Sequence, residues 1–341
     1  LIYETAWEVK KLGYNVLVLH EINGFKCKWL FENEENKHLR QLEVDYIIRK
    51  KSAKSKKTRA DYSFKPSDTL IIPDQFQEML DNISEVKLIQ KVVLVSSYTG
   101  LSSIQPGHDY NNLGVSKVLF MEPKLKDDYA SLFQFEYAMV DKYPINKTFF
   151  NKEKRKVSEI MPSICISNIG NNDLTQEVIN IFYNKYPQLR TFTFKIMPRD
   201  NFSYYIDTLS QAALYLVLDK NMGNKHMIYE ALSMGIPVAT FKRREIEGEL
   251  SENINFGSDA FEIADSIADF VQAWLTMPTT TINLHLDKMV SGLKLEEYSY
   301  ENYSSQWHVA IKELQDKRVK YFTTIQQSME ESKKVEELIP A

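Results

Sequence analysis

The feature that most constrains the fold is an alternation of short apolar segments with amphipathic segments, which stops once and then starts again. Apolar segments such as 91–95 and 163–169 are separated by stretches with the 3.6-residue period of a helix. This order predicts parallel strands with helices on both faces of a sheet. Between the two runs lies 143–157, which contains Pro144, a basic cluster and few apolar residues. The sequence therefore predicts an α/β protein with two similar domains in tandem, joined by a linker.

The composition fits a two-domain globular protein. The chain has 341 residues, of which 43% are hydrophobic and 26% charged, and its net charge of −4 gives no overall preference for polyanions. Its two cysteines, Cys27 and Cys165, form neither a disulfide framework nor a metal cluster, which favours a reducing compartment. No apolar stretch approaches the roughly 20 residues that span a bilayer, and no signal peptide is visible. We expect a cytoplasmic protein, either free or peripheral at a membrane surface.

The first residues have an unusual order for such a fold. Residues 1–13 have the pattern of an amphipathic helix that ends at Gly13, and an apolar strand follows at 15–19. A doubly wound domain normally opens with a strand and a glycine-bearing loop before its first helix. The sequence therefore predicts that a first strand, with a functional loop after it, is missing upstream of Leu1.

The segment 219–241 is the most informative for function. It follows an apolar strand, opens with a loop that contains Gly223, and continues as a short helix that Gly235 ends. A loop and a helix N-terminus offer unpaired N–H groups and a positive dipole end, which suit a diphosphate, and Lys225 adds a full positive charge. Glu230 lies further along the helix, where its carboxylate can accept hydrogen bonds from both hydroxyls of a ribose.

Residues 230–238, which read Glu-Ala-Leu-Ser-Met-Gly-Ile-Pro-Val, resemble the donor-domain signature of GT-B glycosyltransferases. The similarity is greatest to the large retaining family (glycosyltransferase group 1) that includes sucrose and bacterial polysaccharide mannosyl- and glucosyltransferases. Three other segments resemble parts of that family in the same order. They are the first helix and second strand at 1–19, the interdomain linker at 143–150, and the aromatic start of the final helix at 298–308.

The resemblance implies two tandem Rossmann-like domains (the GT-B fold), with a C-terminal helix that crosses back to the first domain. Residues 1–145 would bind the acceptor, residues 146–297 would bind a nucleotide sugar, and residues 298–341 would form the helical tail. The implied reaction moves a hexose from a nucleotide diphosphate sugar, of UDP or GDP type, to a hydroxyl of a glycan, a lipid-linked acceptor or a nucleic acid. No metal and no other cofactor is expected.

The candidate site residues divide into a donor set and an acceptor set. The donor set is Glu230, Lys225, His226, Gly223, Asn224, Gly170, Asn171, Asn172 and Arg199. On the acceptor side, His108 and Asp109 lie in a loop after a first-domain strand, where either can act as a general base. An inverting reaction needs such a base, whereas in a retaining reaction the leaving phosphate can take the proton.

Two departures from the family pattern leave other functions open. Met222 stands where the family usually has a glutamate that contacts the donor sugar, and the loop 170–173 lacks the family's arginine and lysine. The positive charge that neutralises the phosphates would then come from Lys225, together with Lys220, His226 or Arg199. These departures favour, as alternatives, a non-catalytic nucleotide-sugar-binding or interaction module on the same scaffold. A nucleotide-sugar epimerase, which shares the fold, is a further alternative.

One strongly basic segment stands out from the balanced charge of the chain. Residues 49–59 contain seven basic residues in eleven and no acidic residue. They form either a solvated loop or a patch for a polyanionic acceptor, such as DNA phosphates or anionic lipid headgroups. The patch consists of Arg49, Lys50, Lys51, Lys54, Lys56, Lys57 and Arg59. Together with the lysine- and tyrosine-rich composition, it keeps a DNA-modifying glucosyltransferase among the alternatives.

Overall fold

The computed structural model describes most of the chain as two α/β halves. It describes residues 2–21, 34–49, 62–74, 76–86, 89–96, 110–155, 160–167, 172–197, 202–218, 226–241, 254–278, 280–281, 284, 287, 290–291 and 296–337. The strands are β1 Leu17–Glu21, β2 Arg40–Val44, β3 Thr69–Pro73, β4 Gln90–Val95, β5 Lys117–Phe120, β6 Tyr137–Met139, β7 Ser163–Ile166, β8 Thr193–Ile196, β9 Leu214–Val217, β10 Val238–Phe241 and β11 Ile254–Gly257. The helices are α1 Ile2–Lys11, α2 Gln77–Leu80, α3 Pro123–Ala130, α4 Asn172–Lys185, α5 Phe202–Ser210, α6 His226–Ser233, α7 Ala260–Thr276 and α8 Tyr300–Glu337.

The N-terminal half contains two separate groups of parallel strands. Strands β3, β4, β5 and β6 pair in chain order, and β1 pairs with β2. The central strand β4 is buried along most of its length because helices and loops cover both faces of the sheet. On one face α1 and α8 contribute Val9 and Trp307, and on the other face Ile47, Leu125 and neighbouring residues form a second cluster.

The C-terminal half contains one five-stranded parallel sheet of order β8-β7-β9-β10-β11. Alternate residues of its strands face opposite layers: Cys165 packs with α5 and α6, whereas Ile164 and Ile166 pack with α4 and α7. Cys165 is fully buried as a core residue. The strand order reverses between β7 and β9, and ligands of doubly wound sheets bind outside the carboxyl ends of the strands at such a switch point.

The last helix ties the two halves together. The linker and the segment before α8 lie side by side, since the Ile145 amide donates to the Tyr298 carbonyl at 3.0 Å. Helix α8 then packs on the N-terminal sheet, where Trp307 is fully buried and Glu313 pairs with the buried Lys117. The predicted fold class, two tandem Rossmann-like domains with a C-terminal helix crossing back, is confirmed. The predicted boundaries at 145 and 297 remain an interpretation.

The region around β2 and the start of α4 were not predicted in detail from the sequence. Strand β2 ends at Val44, and Ile47 and Ile48 pack into the core from an irregular segment. Strand β2 was not recognised because its outward residues are polar or exposed, so it lacks an apolar run. Helix α4 begins at Asn172, so Asp173 lies in its first turn.

Candidate functional site

The candidate site centres on Glu230 in α6. The helix begins at His226 and places Ile228, Ala231 and Leu232 in the core beneath it. It ends at Ser233, and Gly235 follows with a φ of 70°, the left-handed conformation that favours glycine just after a helix. This anchoring fixes the opposite face of the helix, so that the half-buried carboxylate of Glu230 faces a cleft between the two halves.

A half-buried tyrosine holds the Glu230 carboxylate from within the same half. The hydroxyl of Tyr205, on α5, donates to Oε2 of Glu230 at 3.3 Å. Behind it, the Tyr215 hydroxyl on β9 is hydrogen-bonded to Tyr205 and to Ser167. Burial raises the pKa of both tyrosines, so both phenols stay protonated. The result is a chain of hydroxyl groups that ends on the carboxylate.

The protonation of Glu230 is strongly perturbed. Burial raises the pKa of this carboxyl from 4.5 to about 8, and the negative charge of Glu4 raises it as well. The hydrogen bond from Tyr205 acts in the opposite direction because it favours the ionised form. A perturbed carboxyl in a cleft is a common property of functional sites.

The opposite wall of the cleft comes from the N-terminal half and the start of α8. The Tyr300 hydroxyl donates to Oε1 of Glu4 at 3.3 Å, and Asn146 of the linker is hydrogen-bonded to Tyr300. Glu4 lies in the first turn of α1. Glu4 and Glu230 line the same cleft from different halves, and the negative charge of Glu4 acts on the Glu230 carboxyl.

The cleft is large and has an aromatic wall beside Glu230. Its volume is about 1840 Å³, and residues of both halves line it. Phe149 and Phe150 of the linker contact Phe202 of α5 edge-to-face, with ring centroids 5.2 and 6.1 Å from that of Phe202. A cavity that combines apolar aromatic surface with a few converging polar groups is typical of sites for small organic ligands.

The structure describes only part of the predicted site. Glu230 lies in the cleft as described. The helices α4 and α6 begin at Asn172 and His226, on either side of the switch point between β7 and β9, but these two side chains lie outside the described residues. Also outside the described residues are Gly170, Asn171, Arg199, Gly223, Asn224, Lys225, His108, Asp109, Lys50, Lys51, Lys54, Lys56, Lys57 and Arg59. Arg49 is described and is exposed.

Glu4, Tyr205 and Tyr300 belong to this site, and sequence reasoning did not identify them. Each comes from a different helix, and Glu4 and Tyr300 are nearly 300 positions apart in the chain. The aromatic start of α8 was a recognisable signal, but it predicted packing rather than contact with a carboxylate. In the described part of the chain, no group of three His, Cys, Asp or Glu side chains is arranged to hold a metal ion. No helix described here is long and apolar enough to cross a membrane.

Comparison with known proteins identifies the fold. No protein-family model matches the chain, and no curated protein matches it by sequence. Among solved structures, it is similar to an alpha,alpha-trehalose-phosphate synthase (UDP-forming) from Burkholderia vietnamiensis, with 10% identity and a TM-score of 0.53 over 74% of this chain and 73% of that chain. It is also similar to the N-terminal domain of Candida albicans trehalose-6-phosphate phosphatase, with 12% identity and a TM-score of 0.52. That match covers 73% of this chain and 71% of the phosphatase domain.

A further similar structure is the pneumococcal O-GlcNAc transferase GtfA in complex with UDP and GlcNAc, with 12% identity and a TM-score of 0.48 over 73% of this chain. The match spans only 57% of the length of that transferase. The chain has the GT-B fold. This class is defined by the likeness to the trehalose-phosphate synthase and to the phosphatase domain, by the parallel strands in each half, and by the return of α8 to the first half.

Proposed function

We propose that the protein is a glycosyltransferase that moves a sugar from a nucleotide diphosphate sugar, of UDP or GDP type, to a hydroxyl acceptor. The observation that carries the proposal is the position of Glu230. Its carboxylate is half-buried on the helix that follows the switch-point strand β9, and it opens into the cleft between the two halves of a GT-B fold. An ionised carboxylate there accepts hydrogen bonds from both ribose hydroxyls of a nucleotide.

The position of Glu230 indicates which groups bind the diphosphate and which bind the acceptor. The N-terminus of α6 and Lys225 bind the diphosphate, and their positive potential stabilises the charge that develops as the diphosphate leaves. The other residues of the donor set, from the loops before α4 and α6 together with Arg199, complete this site. The acceptor binds on the N-terminal side, where His108 or Asp109 accepts its proton in an inverting reaction. The reaction needs no divalent metal, so we expect activity in the presence of EDTA.

Calorimetric titration with a panel of nucleotide sugars and free nucleotides tests the donor site. We expect one nucleotide to bind the wild-type chain and Glu230→Ala to weaken it by about 1–3 kcal/mol, the cost of losing hydrogen bonds to a charged group. Glu177→Ala is the matched control, because Glu177 is an exposed glutamate of α4. Equal affinity for wild type and Glu230→Ala would contradict the assignment.

Product analysis separates transfer from the two alternatives. Nucleotide release that depends on an added acceptor supports glycosyl transfer, whereas release of free sugar or an epimer without acceptor supports an epimerase. Binding without any turnover supports a non-catalytic module, the reading that Met222 favours. Both alternatives use the same donor site, so the Glu230 titration applies to all three.

The acceptor can be a polyanion, because the basic residues 49–59 belong to the N-terminal half. A gel-shift experiment at low salt measures whether duplex DNA binds, and vesicles with anionic lipid test a membrane surface. In each case, a variant with Lys50, Lys51 and Lys54 changed to Ser should lose binding. Retention of binding by this variant would remove the patch from the proposal.

A further inference from the structure

Helix α8 continues beyond the N-terminal sheet on which it packs. The helix has 38 residues, a length of about 57 Å, and Leu314 is its last residue in a hydrophobic cluster of the described residues. One turn later, Arg318 donates to the carbonyls of Ser67 and Asp68 just before β3, the latter at 2.8 Å. From residue 319 to residue 330, every side chain of the helix is exposed. Helix α8 therefore presents these later turns to the outside of the fold.

The exposed turns of α8 continue the apolar stripe of its buried turns. Residues three or four positions apart lie on one face of a helix, and Ile325 comes about five turns after Trp307, in the same direction. The face that covers the N-terminal sheet therefore extends past the sheet, interrupted only at Arg318. Its inner residues are Trp307, Ile311 and Leu314. Its outer residues, which form the outer stripe, are Tyr321, Phe322, Ile325 and Met329.

The outer stripe is apolar and exposed. Tyr321 and Met329 are 64% and 60% exposed, and Phe322 and Ile325 are exposed as well. No hydrophobic cluster of the described residues contains any of the four. A helix gains most of its stability from packing its apolar face, and a contiguous exposed apolar patch marks an interaction site. The outer stripe therefore has the properties of a docking surface.

The charges around the outer stripe indicate what kind of surface covers it. Residues 321–329 contain no charged residue, although the turn before them, 317–320, is basic and Glu330 follows them. Two copies of this segment therefore meet without repulsion between like charges. In an antiparallel pair the basic end of each helix lies beside the acidic end of the other, whereas a parallel pair brings like ends together. A membrane surface is disfavoured, because interfacial helices carry Lys and Arg along their polar face and residues 321–329 have neither.

We propose that the outer stripe is a self-association surface, at which two copies of the chain pair through antiparallel α8 helices. With the pair centred between Thr323 and Thr324, Phe322 of each copy packs on Ile325 of the other, as a knob in a hole. The same register places the basic turn 317–320 of each copy beside Glu330 of the other. A few turns of each helix make a small interface, so we expect a reversible dimer with a Kd of about 1–100 µM.

Sedimentation velocity of the 341-residue chain over a range of concentrations tests the pairing. We expect wild type to change from monomer to dimer as its concentration rises, and the double substitution Phe322→Ser with Ile325→Ser to raise Kd at least about 10-fold. Val319→Ser is the matched control, because Val319 is 65% exposed on the same helix but points about 120° away from Ile325. A wild type that stays monomeric at about 300 µM, above the expected Kd, would overturn the proposal. Equal Kd values for wild type and the double variant would overturn it as well.

Two further measurements exclude other occupants of the outer stripe. At concentrations well below Kd, the double variant should keep the Tm of wild type to within about 2 °C, because the replaced side chains are exposed. A lower Tm would show that the outer stripe packs within its own chain. Flotation with vesicles of phosphatidylcholine and phosphatidylglycerol should recover no protein. Recovery that the double variant loses would assign the outer stripe to a membrane surface, and either result would overturn the proposal.

Disulfide cross-linking tests the direction of pairing. On a Cys27→Ser background, where the remaining Cys165 is fully buried, a mixture of Phe322→Cys chains and Ile325→Cys chains should cross-link under mild oxidation. Met329→Cys alone should not cross-link, because in the antiparallel register the two copies of position 329 lie about 16 Å apart along the helix axes. In a parallel pair these two positions face each other, so cross-linking of Met329→Cys with itself would overturn the proposal.

Discussion

At the scale of single residues, the site depends on how one carboxyl group is held. Glu230 is half-buried by the packing around α6, is subject to the negative charge of Glu4, and receives a hydrogen bond from Tyr205. The first two effects favour the protonated form and the third favours the ionised form. A ribose that donates two hydrogen bonds needs the ionised form. The carboxyl is therefore poised to lose its proton when such a ligand arrives.

The raised pKa of Glu230 predicts a specific dependence of stability on pH. The native protein keeps this proton up to about pH 8, whereas the unfolded chain releases it above its ordinary pKa of 4.5. The native state thus binds more protons in this window, and its free energy of unfolding falls as the pH rises from 4.5 to 8. Glu230→Gln removes this decline, so the variant gains stability relative to wild type toward pH 8.

Urea denaturation at both ends of that pH window measures the effect, and Glu177→Gln is the control on an exposed glutamate. If wild type and Glu230→Gln lose stability in parallel as the pH rises, the carboxyl is ionised in the native state and the reasoning is wrong.

Tyr205→Phe should weaken the proposed donor site without disturbing the fold. The change removes the hydroxyl that donates to Oε2 of Glu230, so we expect the carboxyl pKa to rise further and nucleotide affinity at neutral pH to fall by about 1 kcal/mol. Carbon NMR of the labelled carboxyl reports the pKa, and titration reports the affinity. Tyr204→Phe is the control, since Tyr204 is on the same helix and 59% exposed. A purely structural role for Tyr205 would leave the carboxyl pKa unchanged.

At the scale of elements, the linker is locked onto the C-terminal half by one arginine. Arg155 is buried and donates to the carbonyls of Gly235 and Ala212, the latter at 2.9 Å. Its guanidinium also lies over the ring of Trp274, 5.7 Å from the centroid. These contacts hold the C-terminal end of α6 against the linker. Because α6 carries Glu230, they also help to fix the position of that residue.

Arg155→Met should therefore destabilise the C-terminal half. It leaves two buried carbonyl groups without their donor, which we expect to lower the free energy of unfolding by about 2–4 kcal/mol. Chemical denaturation measures the change, with Lys154→Met as control, because Lys154 is the exposed neighbour in sequence. A loss no greater than that of the control would show that the two carbonyls find other partners.

Some elements and site residues could be predicted from the sequence, and others could not. The order of the elements was predictable because the strands 91–95 and 163–166 are apolar runs and because Gly235 and Pro237 mark the end of α6. The place of Glu230 on the helix before Gly235 was predictable because the residues after it form a local signature, and its role in donor binding stays a prediction. Glu4 and Tyr205 were not, since their roles depend on packing between helices that are distant in sequence. Strand β2 was missed because it is an exposed edge with charged residues.

At the scale of the whole molecule, two adjacent crossings join the halves. The linker and the segment before α8 are bonded to each other through Ile145 and Tyr298, and Lys142 forms an ion pair with Glu297 at 2.6 Å. Beyond this point α8 belongs to the N-terminal core, and its later turns carry exposed residues such as Val319 and Met329. The orientation of the cleft therefore depends on how firmly α8 is anchored.

Trp307 is the main anchor of α8, and Trp307→Ala tests its role. Its side chain is fully buried against Val92, Leu94 and Leu119 of the N-terminal sheet. Replacement by alanine leaves a large cavity, so we expect a loss of about 3–5 kcal/mol. The loss should be confined to the N-terminal half, because the core of the five-stranded sheet contains no residue of α8.

Hydrogen exchange under mild denaturant resolves the two halves. Amides of β4 and β5 should lose protection in Trp307→Ala, whereas those of β7 and β9 should keep it. Val309→Ala is the control, since Val309 is on the same helix and 52% exposed. If both sheets lose protection equally, the halves unfold as one cooperative unit. The cleft between them would then be a rigid feature of the fold, and α8 would not act as a tether between separate domains.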